Sequence, residues 1–287
     1  MRTMARPWVL AALLALVPAP AAWAQALEPV PDAQSGVVTD GHRLAAYASG
    51  SDAATVVDTA DGSSRRLSVA AGCEPGDVAC GRLLLVCGDA FSSSRPAVVV
   101  DARSGRTVGP PPGAISGRWD LLGRYWLSGA VFDMRGDVIP SYLNWRTGRY
   151  RRDDGPPRDM NRPTLPILHP PCGAGSARGW FDVPGRRSLL LTRCGRRRPI
   201  LLSRCRLGYG CRSFSVSAGV ATWAEGRAGN VARAYLIARR RALSWRVAGF
   251  DEKTSNSPLG VEHTAREIFV SAWGPPATRV YATALPR

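Results

Sequence analysis

Gly81-Arg82-Leu83-Leu84-Leu85-Val86, followed by Val98-Val99-Val100-Asp101-Ala102-Arg103-Ser104-Gly105-Arg106, is the stretch from which the fold of this chain is read. A turn glycine opens a run that is apolar on successive residues, as a strand covered on both faces must be. The second run ends in Ser-Gly-Arg, which suits a tight hairpin because glycine takes a positive φ at no steric cost. The pattern recurs. It begins at Gly41-His42-Arg43-Leu44, Gly123-Arg124-Tyr125-Trp126, Gly185-Arg186-Arg187-Ser188, Gly219-Val220-Ala221-Thr222 and Ala265-Arg266-Glu267-Ile268. The six units start at intervals of 40, 42, 62, 34 and 46 residues. A period near 40 built from short strands is the signature of a propeller blade.

Each unit carries further strands. Short extended pieces precede the glycine at 36–39, 119–122, 180–183 and 214–217, and a strand with a hairpin follows it at 55–62 and 142–149. Thirty glycines and 23 prolines are too much punctuation for a helical bundle. The expected fold is all-β: one domain over 25–287, a six-bladed β-propeller with a long Pro-, Gly- and Arg-rich loop at 153–177. The last unit holds three strands, and Ala26-Leu27-Glu28-Pro29-Val30 is expected to supply its missing outer strand and close the ring. The alternatives are a seven-bladed ring and a β-sandwich, which does not explain a four-strand repeat.

The units Val37–Ala48 with Thr55–Leu67, and Leu83–Val108, resemble the repeats of exported TolB-like and WD-type propellers. In those families a turn glycine precedes an apolar strand and a Val-x-Asp-x-x-x-Gly hairpin follows. The resemblance extends over most of residues 36–287 and implies fold rather than activity. No Trp-Asp dipeptide ends a blade, and no Ser-x-Asp-x-Gly-x-Thr-Trp box is present.

The first 24 residues read as a Sec signal peptide. Arg2 and Arg6 precede the apolar run 8–17, Pro18 and Pro20 break it, and Ala22-Trp23-Ala24 places small residues where a signal peptidase reads. The run is too short to span a bilayer. The expected product is a soluble monomer, secreted or held in the periplasm or cell envelope, with no transmembrane segment after cleavage. The formal net charge is +16, or +14 without the two leader arginines. Lys253 is the sole lysine, so the basic excess reads as arginine from GC-rich coding rather than a nucleic-acid site.

Seven cysteines with no paired CxxC knuckles, and only three histidines, argue against structural zinc and for disulfides in an oxidising compartment. Cys73 and Cys87 occupy the start of a first strand and the end of a second, as do Cys172 and Cys194, so each pair is expected as a blade staple. Cys205 and Cys211 would close the step to the next blade, leaving Cys80 as the odd thiol. The rival pairing is Cys73–Cys80 with Cys87 free.

Inner strands line a propeller's channel. Three residues before the turn, Asp120, Asp182 and Glu262 place a carboxylate at one equivalent position, with Asp77 one residue off. They are the candidate channel carboxylates. No motif calls for a cofactor, and a channel Ca²⁺ is the one metal that such oxygen ligands suit. His263, beside Glu262, and His42 read as ordinary surface residues at turns. Candidate anion-binding arginines are Arg149, Arg151 and Arg152, then Arg196, Arg197 and Arg198, then Arg239, Arg240 and Arg241. No Gly-x-Ser-x-Gly elbow or other nucleophile motif appears. The expected function is a binding or scaffolding module whose partner is a protein or an anionic envelope polymer. The alternative is a propeller hydrolase or lactonase using channel carboxylates and a divalent metal.

Overall fold

The computed structural model describes residues 26–88, 96–109, 119–121, 125–132, 138–147, 149–152, 177–182, 187–193, 200–205, 211–225, 231–247, 259–272 and 278–286. Residues 1–25, with the segment read as a signal peptide, and all but the last residue of loop 153–177 lie outside them. Among the described residues every regular element is a strand, and no helix is long and apolar enough to cross a membrane.

Strand β1 (Glu28–Pro29) precedes the repeats. The first sheet is β2 (Val38–Thr39), β3 (Leu44–Gly50), β4 (Ala53–Asp58) and β5 (Ser63–Ser68). The second is β6 (Cys73–Ala79), β7 (Arg82–Cys87), β8 (Ala97–Asp101) and β9 (Thr107–Gly109). The third is β10 (Trp119–Leu121), β11 (Trp126–Phe132), β12 (Val138–Asn144) and β13 (Arg149–Arg152). The fourth shows β14 (Ala177–Asp182), β15 (Arg187–Arg193) and β16 (Ile200–Cys205). The fifth is β17 (Cys211–Ser217), β18 (Val220–Glu225), β19 (Val231–Leu236) and β20 (Arg241–Arg246). The sixth is β21 (Leu259–His263), β22 (Glu267–Ala272) and β23 (Arg279–Ala284). Each sheet is an antiparallel meander in chain order. β1 is the exception: it joins the outer edge of the sixth sheet, Glu28 opposite Ala282 and Pro29 opposite Tyr281, and the Val30 N–H donates to the Val280 carbonyl at 2.9 Å.

The hairpins repeat one local device. Asp58, Asp101 and Asn144 end the third strands of their sheets, and each side-chain Oδ1 accepts backbone N–H groups of the turn that follows, at 2.9–3.1 Å. Four residues on, Gly62 and Gly105 take φ of 75° and 72°. Arg43 and Arg82, which open the second strands, form ion pairs with Asp58 and Asp101 respectively. In the fifth sheet Arg240 occupies the glycine's place at φ 53°.

The successive apolar residues divide between two neighbours, since adjacent side chains of a strand point to opposite faces. In β7, Leu83 and Leu85 pack with Ala46, Val56 and Leu67 of the first sheet, whereas Leu84 packs with Leu121 and Leu127 of the third. In β22, Phe269 packs with Ala45 and Tyr47 of the first sheet, while Ile268 and Val270 meet the fifth. Leu189 of the fourth sheet packs on Trp223 of the fifth. The sheets thus stand face to face in the order fourth, fifth, sixth, first, second, third, a propeller-like arrangement.

Candidate functional site

Asp77 lies opposite Leu84 of β7, and Val78 opposite Leu83. Beyond Asp77 the register shifts at Gly76, where an added Cβ would come within 2.5 Å of Val86 Cγ2. Val78, at the position counted from the turn, is a core residue between the first two sheets, and by strand alternation Asp77 takes the opposite face. Its Oδ1 accepts the Val78 N–H at 2.8 Å and its Oδ2 the Leu121 N–H of β10 at 2.6 Å. Burial, then the charge of Asp120, pushes its carboxyl up to about 7.

Glu262 lies on β21, opposite Phe269. Burial, then the charge of Asp77, pushes its carboxyl up to about 8. Asp77 and Glu262 are surrounded by protein yet keep some accessible surface, as groups facing an internal space do. Thr39 Oγ1 lies 3.5 Å from Glu262 Oε2 and 2.7 Å from the His263 carbonyl. The hydroxyl donates chiefly to the carbonyl, and its longer contact to Glu262 works only weakly against the rise of that carboxyl. Asp120 is exposed on β10 and within electrostatic reach of Asp77. Asp182 ends β14, and its side chain lies outside the described residues. The sixth, first, second and third sheets thus contribute Glu262, Thr39, Asp77 and Asp120. Two solvent-shielded carboxyls in mutual range disfavour a second negative charge, which adds to burial in holding Glu262 above the usual carboxylate range. Among the described residues no three His, Cys, Asp or Glu side chains stand close enough to hold a metal ion.

His263, expected as a surface residue, is instead fully buried at the end of β21, turned away from Glu262 as strand alternation requires. Its Nε2 lies 2.8 Å from Ser217 Oγ and its Nδ1 3.0 Å from Thr222 Oγ1. Ser217 Oγ donates to the Gly41 carbonyl at 2.9 Å, so Nε2 carries the imidazole proton and Nδ1 accepts from Thr222. The spacing resembles a nucleophile and its base, but the group is sealed in the packing of the fifth, sixth and first sheets and works as a lock. Sequence reading missed Thr39 and Ser217, because nothing local distinguishes a strand-end hydroxyl that meets a residue two hundred positions away.

Of the arginines, Arg149, Arg239 and Arg240 are exposed and Arg241 is half-buried. The side chains of Arg151 and Arg152, and all of Arg196, Arg197 and Arg198, lie outside the described residues. His42 is half-buried at the first sheet's turn. Cys73 and Cys87 are opposite one another and disulfide-bonded, which excludes the Cys73–Cys80 pairing. Cys80 is also disulfide-bonded, to a partner outside the described side chains. The expectation of an odd thiol there is corrected: its place in a tight turn, at φ 50° beside Gly81, does not keep its side chain from a distant cysteine. Cys172, Cys194 and the side chains of Cys205 and Cys211 lie outside the described residues.

No protein-family model matches the sequence. No curated protein matches it at a significant level. Solved structures similar in fold include the Swd1 β-propeller domain of Myceliophthora thermophila, at 8% identity and TM-score 0.49 over 90% of this chain and 99% of that one. An oligogalacturonate lyase in complex with manganese is similar at 10% identity and TM-score 0.40, over 85% and 74% of the two chains. TolB from Acinetobacter baumannii follows at 11% and 0.40, over 80% and 59%. The propeller-like reading stands on the sheets and their packing.

Proposed function

We propose that the chain is an exported six-bladed propeller, one domain over 25–287, that serves as a monomeric binding or scaffolding module of the cell envelope or extracellular space. In this reading the third and fourth sheets also pack and complete the ring. The leader-like residues 1–24 and the Cys73–Cys87 disulfide support export, since such bonds persist in oxidising compartments.

The observation that carries the binding role is the inner wall formed by Glu262, Asp77 and Asp120. A carboxyl raised to about 8, as that of Glu262 is, holds its proton at neutral pH and so both donates and accepts hydrogen bonds, as recognition of hydroxyl or amide groups requires. Exposed arginines such as Arg149 and Arg239 suit the anionic groups of the same partner. That combination favours an anionic envelope polymer, with a protein surface as the other candidate and nucleic acid excluded by address. No cofactor is required, a channel Ca²⁺ remaining the one ion to test. One fact favours the hydrolase reading: a carboxyl titrating near 7 is matched to general acid–base work.

A thermal-shift comparison of the mature chain tests this, using alginate, dextran and calcium chloride at pH 6 and pH 9. Alginate is expected to stabilise the wild type at pH 6 and less at pH 9, whereas Glu262→Gln, which stays neutral, loses less of its shift between the two, the remaining loss coming from Asp77. A shift with calcium alone that Glu262→Gln abolishes would replace the polymer by a metal. Alginate cleaved with uptake of water, leaving saturated ends that do not absorb near the ultraviolet band of an unsaturated uronate, would establish the hydrolase.

A further inference from the structure

We propose a second binding site, in the cleft between the first and second sheets, for a small organic anion: a carboxylate carried on an apolar body. The two sheets pack through Ala46, Val56, Leu83 and Val100. At the end where β2 turns into β3 and β8 into β9 they part around a cavity of about 870 Å³. That lies within the roughly 300–1,000 Å³ of small-ligand sites. Leu44, Val56 and Ala102 give it an apolar floor, and its walls are charged.

The walls are not electrically satisfied in equal measure. Two of the arginines are occupied by equivalent ion pairs, Arg43 with Asp58 and Arg82 with Asp101. The remaining carboxylates are held by the backbone. Asp40 Oδ1 accepts the N–H groups of His42, Arg43 and Leu44, and Asp61 accepts that of Ser63. Arg65 and Arg103 are left. Both are exposed at the cleft, Arg65 reaching across from β5 to donate through Nη1 to the Arg103 carbonyl. Among the described residues neither has a carboxylate partner. Each guanidinium carries five N–H donors in a fork that matches a carboxylate; Asp40 and Asp61 balance their charge across the cleft, so what stands open there is donor capacity rather than net positive charge. The apolar floor beneath it asks for a hydrocarbon body, and the chain's net positive charge draws anions towards it. This site is separate from the inner carboxyl wall and does not depend on it.

Isothermal titration of the mature protein with 4-phenylbutyrate and with its neutral amide, at low ionic strength, tests the assignment. The acid is expected to bind one-to-one, and the amide at least about tenfold more weakly, because only the acid meets the guanidinium forks. Arg65→Gln with Arg103→Gln is expected to weaken the acid by at least about tenfold and to leave the amide unchanged. Arg204→Gln with Arg246→Gln removes the same charge from exposed strands elsewhere and should leave acid binding intact. Absence of binding, equal affinity for acid and amide, an undiminished affinity in the cleft variant, or an equal loss in the distant variant would each overturn the proposal. All four arginines are exposed, so thermal melts of both double variants are expected to match the wild type and to separate lost binding from lost folding.

Discussion

Glu262 and Asp77 tie stability to pH through two side chains. Their ordinary values, 4.5 and 3.8, rise to about 8 and about 7 in the folded chain, mainly through burial. Between those limits the folded state holds protons that the unfolded state has released, so stability falls as pH rises from about 4 to about 8. Above that range both states are ionised and the loss is complete. Glu262→Gln keeps an oxygen that accepts from Thr39, stays neutral at every pH, and withdraws a charge from Asp77. Urea unfolding at unit steps from pH 5 to pH 9 is expected to show a shallower decline in this variant; parallel curves would contradict the coupling. Gly41 gives a second test. At φ +72° an added Cβ would also stand 2.1 Å from Ser217 Oγ, whereas Gly62 at φ +75° has open space. Gly62→Ala should cost only the left-handed backbone term of about 1–2 kcal/mol. Gly41→Ala should cost more, because it also displaces the hydroxyl that fixes His263.

At the scale of elements, β1 is the decisive strand. It is only two residues long, yet it covers the outer edge of β23, and Leu27 before it packs against the core shared by the fifth and sixth sheets. Deleting residues 26–30 should lower the melting temperature and speed amide exchange in Arg279–Ala284, since an uncovered edge loses its ladder partners. Exchange in β6 and β7, tied by Cys73–Cys87 in the second sheet, should change little. Uniform acceleration across both sheets would mean that β1 is no local fastening but part of one cooperative unit.

For the whole molecule, the five packed interfaces run from the fourth sheet round to the third. If those two end sheets also meet, the mature chain is a closed ring with no long exposed edge and a radius of gyration of about 18 Å. Small-angle scattering on the mature chain should return a monomer of that size and a single compact distance distribution. A markedly larger radius, or a concentration-dependent dimer, would show an open arc.

The strands, the turns and the fastening role of β1 were legible in the amino-acid order because they arise among neighbouring residues. Leu83-Leu84-Leu85 announces a strand covered on both faces, and Asp101 with Gly105 builds its own hairpin. The opposition of Cys73 and Cys87 followed from the same repeat. The inner wall was legible only in part. Glu262 and Asp77 could be named from spacing, but Gly81 is the second residue of its turn and Ala265 the first of its own, so a count taken from them slips by one residue and exchanges the two faces of a strand. What tertiary structure alone decided lies between sheets. Thr39 meets Glu262 across 223 residues of chain, and Ser217 meets Gly41 across 176. The raised carboxyl titrations, the sealed histidine and the cleft of Arg65 and Arg103 exist only because separate sheets are brought face to face, where burial and Coulomb forces act through space and not along the sequence.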